Sequence, residues 1–195
     1  MAHITADKNA QPVVLVLASG RGERFIASGG AGSKLQVLLA GKAVLEHTLD
    51  AVRASGLPWH LEDAGHEGMG DSIAAAVRAT PDASGWLVLP GDLPLVQPGS
   101  LQAVARALAE HAVVLPQYRG QRGHPVGFSA ACRAALLELE GPQGAAAVVR
   151  AQEANSPAAQ LELDDAGIVT DIDTLHDLAQ AERLLADRLA ARSRS

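Results

Sequence analysis

Short, unbroken apolar runs alternate along this chain with longer stretches in which apolar residues recur every three or four positions. That alternation predicts a mostly parallel sheet covered by helices. Residues 13–17 form a continuous apolar run that ends at Ala18, Ser19 and Gly20, as expected of a fully buried first strand. Leu45, Leu49 and Val52 then recur at helical spacing, and Gly56 closes that helix. Ile73, Ala76 and Val77 mark a second helix, with Asp71 or Ser72 available to cap it. Residues 86–89 make another strand that runs straight into Pro90, Gly91 and Asp92. A helix through Leu101, Val104, Ala105 and Leu108 follows, and residues 113–115 and 125–128 read as strands joined by a hairpin or loop over 118–124. Ser129 is placed to cap a helix carrying Leu136 and Leu139, which stops at Gly141 and Pro142. Residues 161–163 and 168–169 are short strand candidates around the turn 164–167. The last helix carries Leu175, Leu178, Ala181 and Leu185, with Thr174 as its cap and Asp177 in its first turn.

No repeat or low-complexity linker divides this pattern, so one domain over 12–189 is expected, with frayed ends at 1–11 and 190–195. Composition narrows the picture. The chain is 48% apolar, far too much for a disordered chain, yet it holds only two Phe, two Trp and one Tyr. Its core must therefore be filled by Val, Leu and Ala. One cysteine, Cys132, makes no internal disulfide. No window reaches the roughly 18 apolar residues of a membrane span, and residues 1–11 lack the apolar stretch of a signal peptide. The expectation is a cytoplasmic protein without a membrane partner. Against 22 Asp plus Glu stand 16 Lys plus Arg, a net charge of −6, which argues against nucleic acid as a partner.

Three segments carry candidate chemistry. Leu17-Ala18-Ser19-Gly20-Arg21-Gly22-Glu23-Arg24, with Ser33-Lys34 beyond it, puts a glycine-rich turn and cations directly after a buried strand. Backbone N–H groups in such a turn can cradle phosphate. It is neither a dinucleotide fingerprint, because Phe25 stands where the third glycine belongs, nor a P-loop, because Gly32-Ser33-Lys34-Leu35 lacks the adjacent Gly-Lys and the following Ser or Thr. Leu89-Pro90-Gly91-Asp92-Leu93-Pro94 sets a carboxylate just past the end of a buried strand, the edge at which open α/β sheets bind ligands. In Asp171-Ile172-Asp173-Thr174 two carboxylates point the same way if the backbone is extended; helix capping explains Asp173 or Thr174 but leaves Asp171 without a task. Two carboxylate sites with a cationic glycine-rich turn suit a nucleotide with Mg²⁺, an ion that takes oxygen ligands.

In this order the motifs resemble the nucleotidyltransferases that activate phosphorylated small molecules with a nucleoside triphosphate, and within them the molybdenum cofactor cytidylyltransferases. The likeness runs from Val13 to Leu185. Leu17-Ala18-Ser19-Gly20 with Arg24 resembles the family's nucleotide-binding opening, and Lys34-Leu35 with residues 41–47 the stretch after it. Gly68-Met69-Gly70-Asp71-Ser72-Ile73 is similar to the loop that meets the base, Pro90-Gly91-Asp92-Leu93-Pro94 to the magnesium site, Gly123-His124-Pro125-Val126 to the acceptor-side motif and residues 171–174 to the second metal-side motif. The resemblance implies a three-layer, Rossmann-like α/β fold and transfer of CMP from CTP to the terminal phosphate of the molybdopterin cofactor, with release of pyrophosphate. A molybdoenzyme or insertion protein is the partner it implies. It assigns the triphosphate and catalysis to Arg24 and Lys34 with Asp92, and the metal to Asp92 and Asp171. The nucleotide falls to Leu17, Ala18, Ser19, Gly20, Gly70, Ser72, Pro90 and Gly91, of which Ser19, Gly70 and Ser72 would border the base. Arg122 and His124 would take the acceptor.

Three departures bear on these expectations. The stretch from Arg24 to Lys34 is long and glycine-rich, which suggests a mobile loop. Residues 57–67 replace a strand, a helix and another strand, so the sheet should be shortened between 57 and 70, with at most one short strand at 59–62. Pro142 stands where an aspartate is usual, so no catalytic role is placed there. Elsewhere, His60 and His66 read as surface residues, Cys132 as a buried apolar one, and Glu138 and Glu140 as a solvated helix face. Arg119, Arg122 and His124 read as one cationic cluster for an anionic acceptor. Two alternatives stay open: another transfer, such as GMP to the molybdenum cofactor or CMP to an isoprenoid or sugar phosphate, and a non-catalytic cofactor-binding or delivery protein.

Overall fold

The computed structural model describes residues 11–20, 22–154 and 156–192. The N-terminal end expected at 1–11 falls outside these residues except for Gln11. In chain order the elements are β1 (Val13–Leu17), α1 (Glu23–Ala27), β2 (Leu38–Leu39), β3 (Lys42–Ala43), α2 (Val44–Ser55), β4 (Trp59–Glu62), α3 (Met69–Ala79), β5 (Gly85–Pro90), α4 (Pro98–Ala107), β6 (Val113–Tyr118), β7 (Gln121–Arg122), β8 (Val126–Ser129), α5 (Arg133–Leu137), α6 (Ala146–Glu153), β9 (Ala159–Glu162) and α7 (Leu175–Arg192). Helix α7 continues through 190–192, where a frayed end was expected.

Seven strands form one sheet in the order β4-β1-β5-β8-β6-β7, with β9 pairing β6. β1 is parallel to β4 and β5, and β6 to β9, while β8 runs antiparallel between β5 and β6. The strand alternation divides the core in two. Leu15, Leu17, Trp86, Val88 and Phe128 pack with Ile73 of α3, Leu136 of α5 and Val149 of α6. Val14, Val16, Leu87 and Leu89 pack with Leu49 and Val52 of α2 and Leu101 and Val104 of α4. Helices on both faces of a mostly parallel sheet give the expected three-layer α/β fold. The single strand β4 between α2 and α3 matches the shortened sheet expected at 57–70. Cys132 is buried, and that burial pushes its thiol up.

Several local expectations change. The stretch from Arg24 to Lys34 is folded rather than loose: it holds all but the first residue of α1, Phe25 is fully buried, and the Gly30 N–H bonds the Phe25 carbonyl. A Cβ on Gly30 would lie 2.2 Å from the Phe25 ring, so only glycine permits that turn. Helix α3 starts earlier than Asp71 or Ser72, with Gly68 at its N-cap and no side-chain cap; the Asp71 carboxylate instead accepts the Gly141 N–H at 3.0 Å. Ser129 makes no side-chain cap, a short 3₁₀ turn precedes α5, and Leu139 lies beyond that helix. Residues 168–169 belong to a 3₁₀ turn over 166–169 rather than a strand. The buried Asp165 forces this, accepting bonds from the N–H groups of Gly167 and Gln97, the Ser100 hydroxyl and the Arg188 guanidinium. At the start of α7, Thr174 does cap: its hydroxyl accepts the Asp177 N–H and contacts that carboxylate at 2.8 Å.

Candidate functional site

The chemistry-bearing segments meet where β1, β4 and β5 end side by side. The Gly91 N–H donates to the Leu17 carbonyl at 2.9 Å, drawing the turn after β5 across the end of β1. A Cβ on Gly91 would lie 2.9 Å from the end of the Leu45 side chain and 3.1 Å from the Leu17 carbonyl oxygen, so the crossing is tight and favours glycine. Asp92 follows and is buried; its own carbonyl accepts the Ile172 N–H at 3.0 Å. That bond sets Asp171 and Asp173 on either side of an anchored residue and turns both carboxylates toward Asp92. Oxygens of Asp92, Asp171 and Asp173 all lie within 4.8 Å of one another.

Two cations enter this acidic group. Lys34 Nζ lies 2.6 Å from Asp92 Oδ2 and 2.6 Å from Asp173 Oδ1, and Arg24 Nη1 lies 2.6 Å from Asp173 Oδ2. The folded turn around Phe25 therefore brings Lys34 into the site rather than away from it. Burial alone would lower the Lys34 pKa, but the charges of Asp92 and Asp173 outweigh it and raise it. Burial would likewise raise Asp173, yet Lys34 and Arg24 hold it below the usual carboxylate range. Asp171 is exposed as a residue, but partial enclosure of its carboxyl and the like charges of Asp92 and Asp173 push it up. Capping could have explained Asp173 or Thr174; Thr174 and Asp177 do that work, and the Asp173 carboxylate belongs to the charged cluster.

A cavity of about 320 Å³ opens beside this cluster, lined among others by Leu17, Ser19, Gly20, Lys34, Ser72, Pro90, Gly91 and Asp92. Ser19 and Ser72 share a hydrogen bond of 2.6 Å across it. Ala18 and Gly70 are not on its wall. The Ala18 N–H is spent on the Glu62 carbonyl, and Gly70 lies so close to the Glu140 backbone that a Cβ would come within 2.8 Å of its oxygen. A second cavity of about 490 Å³ shares Met69 and Pro90 with the first and has Val88, Leu115, Val126 and Phe128 in its wall, with Arg122, His124 and Arg150 among its polar residues. Burial pushes the His124 pKa down against the pull of Asp92. The three-cation cluster divides here: Arg122 pairs with Glu153 at 3.6 Å, whereas Arg119 lies over the Tyr118 ring and outside the cavity.

One group escaped the sequence reading. His60 and His66 are not idle surface residues: His66 Nε2 lies 3.0 Å and His60 Nε2 3.4 Å from the two oxygens of Glu62, a buried carboxylate at the end of β4. The available signal was a Glu with a His two positions before it, on the same face of a strand, and another four positions after it. His66 and Pro142 both line the first cavity. No helix among the described residues is long and apolar enough to cross a membrane.

The family described as a MobA-like NTP transferase domain matches residues 50–156, which includes Asp92 and His124 but neither the turn after β1 nor Asp171. The chain belongs to this family and is a nucleotidyltransferase. Among curated proteins it is 29% identical over 211 aligned positions to the bifunctional protein GlmU of Xanthomonas axonopodis pv. citri, covering 91% of this chain but 43% of that protein. It thus spans less than half the length of this relative. Among solved structures it is similar to a nucleotidyl transferase from Methanothermobacter thermautotrophicus (TM-score 0.77, 20% identity, 91% of this chain and 99% of that one). It is also similar to Rv0371c of Mycobacterium tuberculosis in complex with manganese (0.70, 22%, 89% and 98%) and to the molybdopterin-guanine dinucleotide biosynthesis protein A of Archaeoglobus fulgidus (0.59, 18%, 90% and 99%). These likenesses show the same fold.

Proposed function

We propose that this nucleotidyltransferase moves CMP from CTP to the terminal phosphate of a molybdopterin-type acceptor, releasing pyrophosphate, with CTP in the first cavity and the acceptor in the second. The observation that carries the reading is the convergence of Asp92, Asp171 and Asp173 with Lys34 and Arg24 beside the first cavity, which shares Met69 and Pro90 with the second. The motif order supports the choice of CTP and acceptor, and the likeness to a molybdopterin-guanine dinucleotide protein supports the acceptor class.

The acidic residues fit Mg²⁺. They offer only oxygen donors, and Asp92 Oδ1 is buried with no hydrogen-bond partner among the described residues, an arrangement that costs free energy unless a cation faces it. Asp92, Asp171 and Asp173 would hold the ion, which when bound supplies positive charge to the phosphate oxygens. The transfer itself is an in-line displacement: an acceptor phosphate oxygen forms a bond to the α-phosphorus as the bond to the bridging oxygen of pyrophosphate breaks. Lys34 and Arg24 leave Asp173 for the triphosphate and meet charge that accumulates on the departing pyrophosphate. His124 and Arg122 receive the anionic acceptor, and the shared wall at Met69 and Pro90 holds the two substrates in contact. No protein nucleophile is required. A screen of the four nucleoside triphosphates with Mg²⁺ and phosphorylated acceptors tests this through pyrophosphate release. CTP with molybdopterin should turn over fastest; faster turnover with GTP, or with a sugar or isoprenoid phosphate, overturns the base or the acceptor.

A further inference from the structure

We infer that His66, positioned by the buried Glu62, is a specificity-determining residue that hydrogen-bonds the nucleoside end of the bound triphosphate. The inference rests on the first cavity being the nucleotide site. The sheet order β4-β1-β5 gives that cavity a direction: the turn with Ser19 lies in the middle, the charged group at Asp92 follows β5 on one side, and the loop with His66 follows β4 on the other. Phosphates belong with Lys34 and Arg24, so the sugar and base lie toward His66, Gly68 and Ser72.

The loop is held tightly for so short a segment. The Glu62 carbonyl accepts the Ala18 N–H at 2.8 Å, its Oε1 accepts both the Ala64 N–H at 3.3 Å and His66 Nε2 at 3.0 Å, and its Oε2 takes His60 Nε2 at 3.4 Å. At the far end, Gly68 packs so closely on Gly141 that a Cβ would lie 2.1 Å from its backbone. Burial would raise the Glu62 pKa, but the bonds from His66, His60 and Ala64 hold it below the usual range, so the group is an ionised acceptor. An ionised carboxylate only accepts, which places the His66 proton on Nε2. The other ring nitrogen has no protein partner among the described residues, and in the neutral ring it is an acceptor. It suits a donor on the nucleoside, either an exocyclic amino group or a ribose hydroxyl.

Calorimetry with Mg²⁺ and two probes, CTP and inorganic tripolyphosphate, separates this task from a structural one. The wild-type protein should bind both. His66→Ala should weaken CTP about tenfold, the loss of roughly one hydrogen bond, and leave tripolyphosphate unchanged. His66→Gln, which keeps an acceptor, should recover part of the CTP affinity. Glu62→Gln should weaken CTP alone, because the amide no longer fixes the imidazole tautomer. Equal loss for both probes, or no loss of CTP binding in His66→Ala, overturns the inference. If the wild-type protein binds neither probe, the reading of the cavity itself falls.

Discussion

Lys34 presents an ammonium to two carboxylates that the proposed metal also needs, so one position should register in two opposite ways. Lys34→Ala should lower turnover about 100-fold, near 3 kcal/mol in the barrier, with a smaller loss in CTP affinity. The same variant should bind Mn²⁺ without nucleotide more tightly than the wild-type protein, because Asp92 and Asp173 lose their resident cation. Steady-state kinetics and a metal titration check the two halves. Asp173→Asn should cost turnover as well, since its carboxylate joins the charged cluster and does not cap α7. Its pKa is lowered on folding, so its ion pairs stabilise the fold above the unfolded value of about 3.9 and lose that contribution as pH falls through the lower folded value. Urea midpoints between pH 2 and 5 should therefore fall less steeply in Asp173→Asn than in the wild-type protein. At this scale the carboxylates and Lys34 were legible as residue types at strand ends. The partner of each was not, because the Lys34–Asp173 contact spans 139 positions of chain.

Among the elements, those with a long regular period were readable and those fixed by single long-range bonds were not. The apolar runs of β1 and β5 and the spacing in α2 and α4 each state their own structure. Helix α1 has five residues and α6 eight, too few turns for a period to stand out, and both are held by packing of Phe25 and of Val148 and Val149. Residues 168–169 carry apolar side chains that suit a strand, but Asp165 closes the turn and Gly167 lies against the Leu95 backbone, where a Cβ would come within 1.9 Å. Asp165 thus fastens α4, the 3₁₀ turn and α7 to one another from outside both cavities. Asp165→Ala should destabilise the protein by about 3 kcal/mol, in the range for breaking a buried ionic pair, measured by urea unfolding. CTP affinity of the folded protein should change little.

For the molecule as a whole, the sheet order does what no segment could announce. It places the ends of β4, β1 and β5 in a row and sets β8 beside β5, so that His124 of the second cavity lies near Asp92 of the first. The proposed division of nucleotide and acceptor between the two cavities implies separable losses. His124→Ala should raise the acceptor KM or lower turnover with CTP binding intact; equal loss of affinity for both substrates would remove His124 from the acceptor site. The transfer of a nucleotidyl group across Asp92 is tested most directly with CTP labelled at its α-phosphate. The wild-type protein with Mg²⁺ should move the label into the acceptor, one unlabelled pyrophosphate appearing for each label transferred, and Asp92→Asn should lose nearly all of it while staying folded. Pyrophosphate release no greater than that of Asp92→Asn, or label left in CDP after loss of the γ-phosphate, would contradict it.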